Sequence, residues 1–177
     1  SHATFKAENE LEHADVIVGN DGVLYLPTYT PVGMKLYSDQ LWLLSLRPND
    51  TKFGVAEYPL NNFYAANTYM KVDNVNNRVY MGGFYSEKKN GSYGGVLYGY
   101  YDLSANSWVN HKAIAFDQKL LDETGDHNKK RAFDNFQVKQ IIINNDGGFV
   151  MVSENAYVTS SSTYTPGFGY YSWYYNP

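Results

Sequence analysis

Asp73-Asn74-Val75-Asn76-Asn77 comes closest of any segment to a metal-binding spacing, and the metal would be calcium. Val75 stands where a calcium loop needs an oxygen ligand, and the distal Glu is missing, so the segment reads as a turn. The four histidines, His2, His13, His111 and His127, make no i, i+4 or alternating pair that would form a metal face. The chain has no cysteine, which removes thiolate zinc sites, disulfides and thiol catalysis. No metal or cofactor is expected. Asn90-Gly91-Ser92-Tyr93-Gly94 is the nearest approach to a serine nucleophile elbow, but Asn90 replaces its first glycine and the strand-to-helix context is missing. Glycoside cleavage needs two carboxylates facing across a sugar. Glu57, Asp102 and Glu154 are candidates for such a pair, and each reads equally well as a solvating group at a strand end.

Tyrosine is the other side chain with binding chemistry, and its 18 copies outnumber the 15 glycines. An apolar ring with a polar tip suits sugar or protein recognition, and aromatics also favour strands. A net charge of -4 offers no general attraction for phosphate, so nucleic acid is not an expected partner. The run Asp122 to Arg131 mixes both signs and reads as a solvated loop. No apolar stretch approaches the roughly 20 residues that span a bilayer, so membrane insertion is not expected.

The elements that must position these groups repeat along the chain. Three segments share a plan of apolar strand, tight polar turn and apolar strand: from Asp15 to Tyr29, from Met70 to Tyr85, and from Val138 to Tyr157. Asn20-Asp21-Gly22 and Asn145-Asp146-Gly147 supply residues that tolerate positive φ, and Asn76-Asn77 fills that place in the second segment. Further apolar runs follow from Gln40, Gly95 and Tyr170, and fourth strands from Thr51 and Ser107. Leu41-Trp42-Leu43-Leu44 is apolar on both faces, as a strand buried between two sheets would be. Thr4 to Leu11 matches a fourth strand, so the strand order, lettered A to D within each unit, begins at D and ends at C. The expected architecture is a single all-β region over 1–177. It comprises three four-stranded antiparallel propeller-type blades, with repeats near 4–50, 51–106 and 107–177 and at most one short helix near 117–124. Propellers typically carry four to eight blades. Three therefore imply a partial propeller continued by further blades, or half of a ring that a homodimer completes.

The segment Phe136 to Glu154, FQVKQIIINNDGGFVMVSE, resembles repeats of uncharacterised exported bacterial β-propeller proteins. The architecture is WD40- or kelch-like, although the spacing is longer than in either family and the WD dipeptide is absent. The resemblance implies an extracellular or periplasmic binding or assembly part and transfers no catalytic residue.

A propeller sends its A–B and C–D turns to one face and its B–C and D–A loops to the other. The B–C loops, Tyr29 to Asp39, Ser86 to Gly94 and Tyr157 to Gly169, and the D–A connections, Asn61 to Thr68 and Asp117 to Asn135, are the long ones. Function gathers where loops converge on a rigid scaffold. Tyr29, Tyr37, Tyr93, Tyr157, Tyr164 and Phe168 are the ligand-binding candidates on that face, set against the alternative that they pack beneath their own loops. The expectation is a non-enzymatic module that presents a tyrosine-rich face to a glycan or protein. The alternatives are a propeller glycoside hydrolase or lyase with paired carboxylates, and a structural spacer.

Overall fold

In β3 (Leu24–Val32), Pro27 has no N–H to donate, and the strand alongside it is interrupted at that point. β1 (Glu12–His13) pairs with Thr28 and Tyr29, while β2 (Ile17–Val18) pairs with Leu24 and Tyr25. Only the Pro27 carbonyl is used between them, accepting from the Ala14 N–H at 3.0 Å. The computed structural model in which this is seen describes residues 11–34, 37–123 and 135–155.

From β3 the chain meanders through β4 (Tyr37–Leu46) and β5 (Gly54–Tyr58), each antiparallel to the one before. A second meander follows: β6 (Tyr64–Asp73), β7 (Arg78–Ser86), β8 (Gly95–Asp102) and β9 (Ser107–Ala115), again paired in chain order. α1 (Gln118–Glu123) is the one helix among the described residues. β10 (Phe136–Ile143) and β11 (Phe149–Asn155) form a separate antiparallel pair. The protein is therefore all-β and antiparallel, as its sequence predicts.

The partition into sheets differs from three separate four-stranded units. β4 and β6 share one bridge, Ser38 with Ala65, which joins the first nine strands into a single sheet that does not close. The connection between β5 and β6 spans only 59–63 and brings the start of β6 against β4. It is shorter than the expected Asn61 to Thr68 because Asn61 and Asn62, with φ of 52° and 68°, make a tight turn closed by a bond from the Phe63 N–H to the Leu60 carbonyl. The expected strands at Thr4 and Tyr170 lie outside the described residues, apart from Leu11, which is not in a strand.

Asparagine solves the backbone problem throughout. Every non-glycine residue with positive φ among those described is Asn, eight in all, and Asn has a short side chain that tolerates the left-handed region. Gly22, Gly147 and Asn77 hold φ of 78°, 83° and 56° in the three predicted hairpin turns. Asn67 and Asn110 lie within the bulges of β6 and β9.

The Asp73 carboxylate organises the turn after β6. Oδ1 accepts from the N–H groups of Val75 and Asn76 at 3.0 Å, and Oδ2 accepts from Asn76 Nδ2 at 2.8 Å. Asp102 repeats the device after β8, accepting from the Ser104 and Ala105 N–H groups at 2.9 Å. Burial acts to raise the Asp73 pKa, but the bonds from Asn76 and Val75, with Arg78 nearby, outweigh it and hold it below the ordinary carboxylate value. Asp73→Ala removes an acceptor from two backbone donors at a buried site and is expected to cost about 2 kcal/mol. Asp73→Asn keeps the acceptor oxygen. With its folded pKa lowered, the charged Asp73 stabilises above its ordinary pKa of 3.8, and that contribution is lost as pH falls through the folded value. Acid unfolding curves should therefore be shallower for Asp73→Asn than for the parent, and parallel curves would refute the assignment.

The described strands stack as three layers. Tyr25, Leu41, Leu43 and Tyr58 of the first meander meet Met70, Val79, Met81 and Leu97 of the second. The opposite face of the second meander carries Phe84 and Ala66 against Phe136, Val138 and Met151 of the β10–β11 pair. β7 is consequently buried on both faces, and Val79 and Met81 are 0% exposed.

Candidate functional site

Because successive strands reverse, the β3–β4, β5–β6 and β7–β8 connections and the end of β9 emerge at one end of the layers. They meet there. Tyr37, the first residue of β4, donates its hydroxyl to the Gly91 carbonyl in the β7–β8 loop at 2.9 Å. The Phe116 N–H, just after β9, donates to the Gly94 carbonyl at 3.0 Å. The bulge in β6 turns Asn67 so that its Nδ2 donates to the Tyr93 hydroxyl at 2.5 Å.

Of the tyrosines proposed to face a ligand, Tyr37 and Tyr93 are brought together, with ring centroids 5.9 Å apart. Tyr93 also stacks on Phe84 at 4.8 Å with ring planes 3° apart. They are only 4% and 8% exposed, so these rings pack beneath the loops and tie the first meander to the second. Tyr29 lies inside β3, because that strand runs on to Val32 where a loop from Tyr29 to Asp39 is expected. Its half-buried ring donates a hydroxyl to Glu12 Oε2 at 2.8 Å. Burial first, and then the Glu12 carboxylate, push its pKa up to about 12. Tyr157, Tyr164 and Phe168 lie outside the described residues, as do the loop Tyr157 to Gly169 and all but the first two positions of the Asp122 to Arg131 run.

At the same end, the short β5–β6 turn frames an open depression lined by Asp39, Glu57, Asn61, Asn62, Phe63 and Tyr64 among others. Asp39, Glu57, Asn61 and Asn62 are exposed, and Asp39 accepts from Thr30 Oγ1 at 3.0 Å. The depression thus offers the Asp39 and Glu57 carboxylates of β4 and β5, the two amides of the turn and a half-buried tyrosine at the start of β6. Such a set accepts and donates hydrogen bonds to a polyol or a polar peptide. Glu57 alone among these stands out in the sequence. Asn61-Asn62 carries a usable signal, since consecutive Asn residues between two apolar runs specify a turn with positive φ at both positions. Asp39 and Tyr64 reach the depression only through pairing between distant strands.

The other candidates are dispersed. Asp102 sits at the opposite end, occupied by its own turn. Glu154 forms an exposed ion pair with Lys139 at 2.8 Å, an arrangement that contributes little stability. His111 is exposed on β9, edge-on to the Tyr58 ring with centroids 6.3 Å apart. Ser92 lies in a connection between two antiparallel strands, not at a strand-to-helix turn. Among the described residues, no group of three His, Asp or Glu side chains is placed to hold a metal ion, and no helix is long and apolar enough to cross a membrane.

The fold and site therefore define a layered antiparallel β protein with a polar depression at its loop-rich end. No family model, curated protein or solved structure matches the chain.

Proposed function

We propose that this chain is a non-enzymatic binding or assembly module built of propeller-type units, which presents its loop-rich end to a glycan or a protein. Its sequence resemblance extends the proposal to a bacterial protein working at the cell surface or in the periplasm. The observation that carries the binding reading is the depression around Asn61 and Asn62, where the two exposed amides of a turn held by its own backbone stand beside the exposed Asp39 and Glu57 carboxylates of β4 and β5. Rigid placement of polar groups lowers the ordering cost of binding. The buried Tyr37 and Tyr93 rings support the site from below by fixing the neighbouring loops.

Binding to an array of defined oligosaccharides and to immobilised surface proteins tests the reading. Asn61→Gly and Asn62→Gly remove both amides while keeping a residue that accepts positive φ, and Tyr64→Phe removes one hydroxyl. The triple variant is expected to keep its circular dichroism and to lose at least about tenfold in affinity, the equivalent of roughly 1.4 kcal/mol. Full retention of binding by the folded triple variant would reject this site.

A second reading, a glycoside hydrolase or lyase, draws on Asp39 and Glu57 lining one depression. It requires that product release from a bound glycan stop in Asp39→Asn and in Glu57→Gln while the glycan still binds. Binding without any product release in the parent chain supports the module over the enzyme.

A further inference from the structure

The depression beside Asn61 and Asn62 carries acids and no base. Asp39 and Glu57 line it with exposed carboxylates, and among the described residues no lysine, arginine or histidine lines it. A bulge in β4 places Asp39 and Gln40 opposite Thr30, whose hydroxyl donates to Asp39 Oδ1 at 3.0 Å. That bond fixes the carboxylate and leaves its charge in place. Glu57 has no hydrogen-bond or ion-pair partner among the described residues. It pairs with Trp42, three positions beyond Asp39 on β4. At ~3.3 Å per residue the two backbones are roughly 10 Å apart, so the acids are spread along the depression. The basic side chains His111 and Lys112 of β9 line a separate recess against the same turn. Phe63, which also lines the depression, packs on Tyr85 with ring centroids 4.5 Å apart, and with half-buried Tyr64 it makes an anchored aromatic wall.

Uncompensated carboxylates attract cations, and an aromatic wall takes the apolar stem of a long basic side chain or faces its charge. We propose that the depression recognises a basic peptide segment of a partner protein, laid across the β5–β6 turn with one Lys or Arg at Asp39 and another at Glu57. The inference rests on the depression being a binding site and adds the partner that fits it. In an extended chain, residues two or three positions apart are ~7–10 Å apart, which matches the spread of the two acids. The Asn61 and Asn62 amides and the Tyr64 hydroxyl are then left for the main-chain groups of the peptide. A neutral glycan brings no counter-charge to either carboxylate, and a glycan supplies a cation only where it carries a free amine.

Fluorescence anisotropy of the full chain tests this with short labelled Gly-Ser peptides that carry two lysines separated by one or two residues. Matched peptides with glutamate in place of lysine, free-amine chitosan oligomers and neutral N-acetylated chitin oligomers are the comparison probes. The lysine peptides should bind, the glutamate peptides should not, and the affinity should fall as sodium chloride is added. Asp39→Asn and Glu57→Gln should each weaken lysine-peptide binding by about three- to fivefold, and together by about tenfold or more, with circular dichroism unchanged. Asp50 is exposed in the β4–β5 turn at the far end of β4. Asp50→Asn makes the same charge change beyond the Debye length of ~10 Å and should shift the affinity by less than about twofold. An equal loss in Asp50→Asn overturns the proposal, because it reports net charge alone. Lysine-peptide binding that survives the Asp39→Asn, Glu57→Gln double variant also overturns it, as does binding of chitosan oligomers without binding of the peptides. Chitin oligomers that bind the parent and the carboxylate double variant, but not the Asn61, Asn62 and Tyr64 triple variant, reject the basic peptide and keep the depression as a site. No binding of any probe rejects both.

Discussion

Gly95→Ala is expected to be among the most damaging single-methyl substitutions in the chain. A Cβ added at Gly95 would run into the Ile114 carbonyl oxygen and lie 2.8 Å from the Ala115 Cα. Both are backbone atoms of β9, the strand with which Gly95 pairs, so no rotamer change relieves the contact. The end of β9 must move away. That displacement strains the bond from the Phe116 N–H to the Gly94 carbonyl and disturbs the Phe116 ring near Phe84, where the centroids are 6.3 Å apart. Overpacking costs about 1–3 kcal/mol, and each lost hydrogen bond adds about 1 kcal/mol. A total near 3–4 kcal/mol corresponds to a Tm lowered by roughly 10 °C for a chain of this size. Gly148→Ala is the control, because its new methyl meets only the Asp146 and Asn144 side-chain ends at 3.2 and 3.5 Å. Calorimetry should find Gly148→Ala near the parent. A Gly95→Ala melt within about 2 °C of the parent would refute the close approach of β8 and β9.

The second large effect is alkaline. Burial raises the pKa values of Tyr25 and Tyr58, to about 12 for Tyr25, where Asp21 adds to the rise and Arg47 opposes it. Tyr29 is likewise raised to about 12, and burial also raises Tyr85 and Tyr101. A raised folded value means that the native state keeps a proton which the unfolded chain releases near its ordinary value of 10.0. Stability from these groups is therefore complete below about pH 10 and is lost as pH rises through about 12. Each fully protected tyrosine steepens the fall by at most about 1.4 kcal/mol per pH unit, and half-exposed Tyr29 by less. Tyrosinate absorbance and circular dichroism should change together in that window. Tyr58→Phe separates two effects, since the Tyr58 hydroxyl donates to the Tyr98 carbonyl at 2.9 Å. Its loss should cost about 1 kcal/mol at neutral pH and make the alkaline decline shallower. Tyrosines that all titrate near pH 10 with the fold intact would overturn the burial assignments.

Much of the local structure could be read from residue types. The Asn-Asp-Gly turns at Gly22 and Gly147 were legible because positive φ restricts the residues that can occupy them. The both-face burial expected of Leu41 to Leu44 is present, with Leu41, Leu43 and Leu44 each at 2% exposure or less. Loop lengths were less legible. The segment through Pro31 and Val32 reads as loop, yet β3 continues through it, paired with β4 across a bulge that places Asp39 and Gln40 opposite Thr30. The tight Asn61-Asn62 turn likewise shortened an expected loop and, in doing so, drew β6 against β4.

Alternation and turn chemistry act between near neighbours, so residue order alone specifies the antiparallel strands, their sequential pairing and the turns that join them. Packing between layers depends on which side chains meet after the chain has returned on itself. That step buried Tyr37 and Tyr93 instead of displaying them, linked β4 to β6 through Ser38 and Ala65, and set Asp39 beside Glu57 and Asn61 in one depression. The tyrosines and carboxylates with binding chemistry are written in the composition. Whether each one faces solvent or supports a neighbour is set by contacts across tens of residues, such as Tyr37 with Gly91 and Asn67 with Tyr93, which no local pattern encodes.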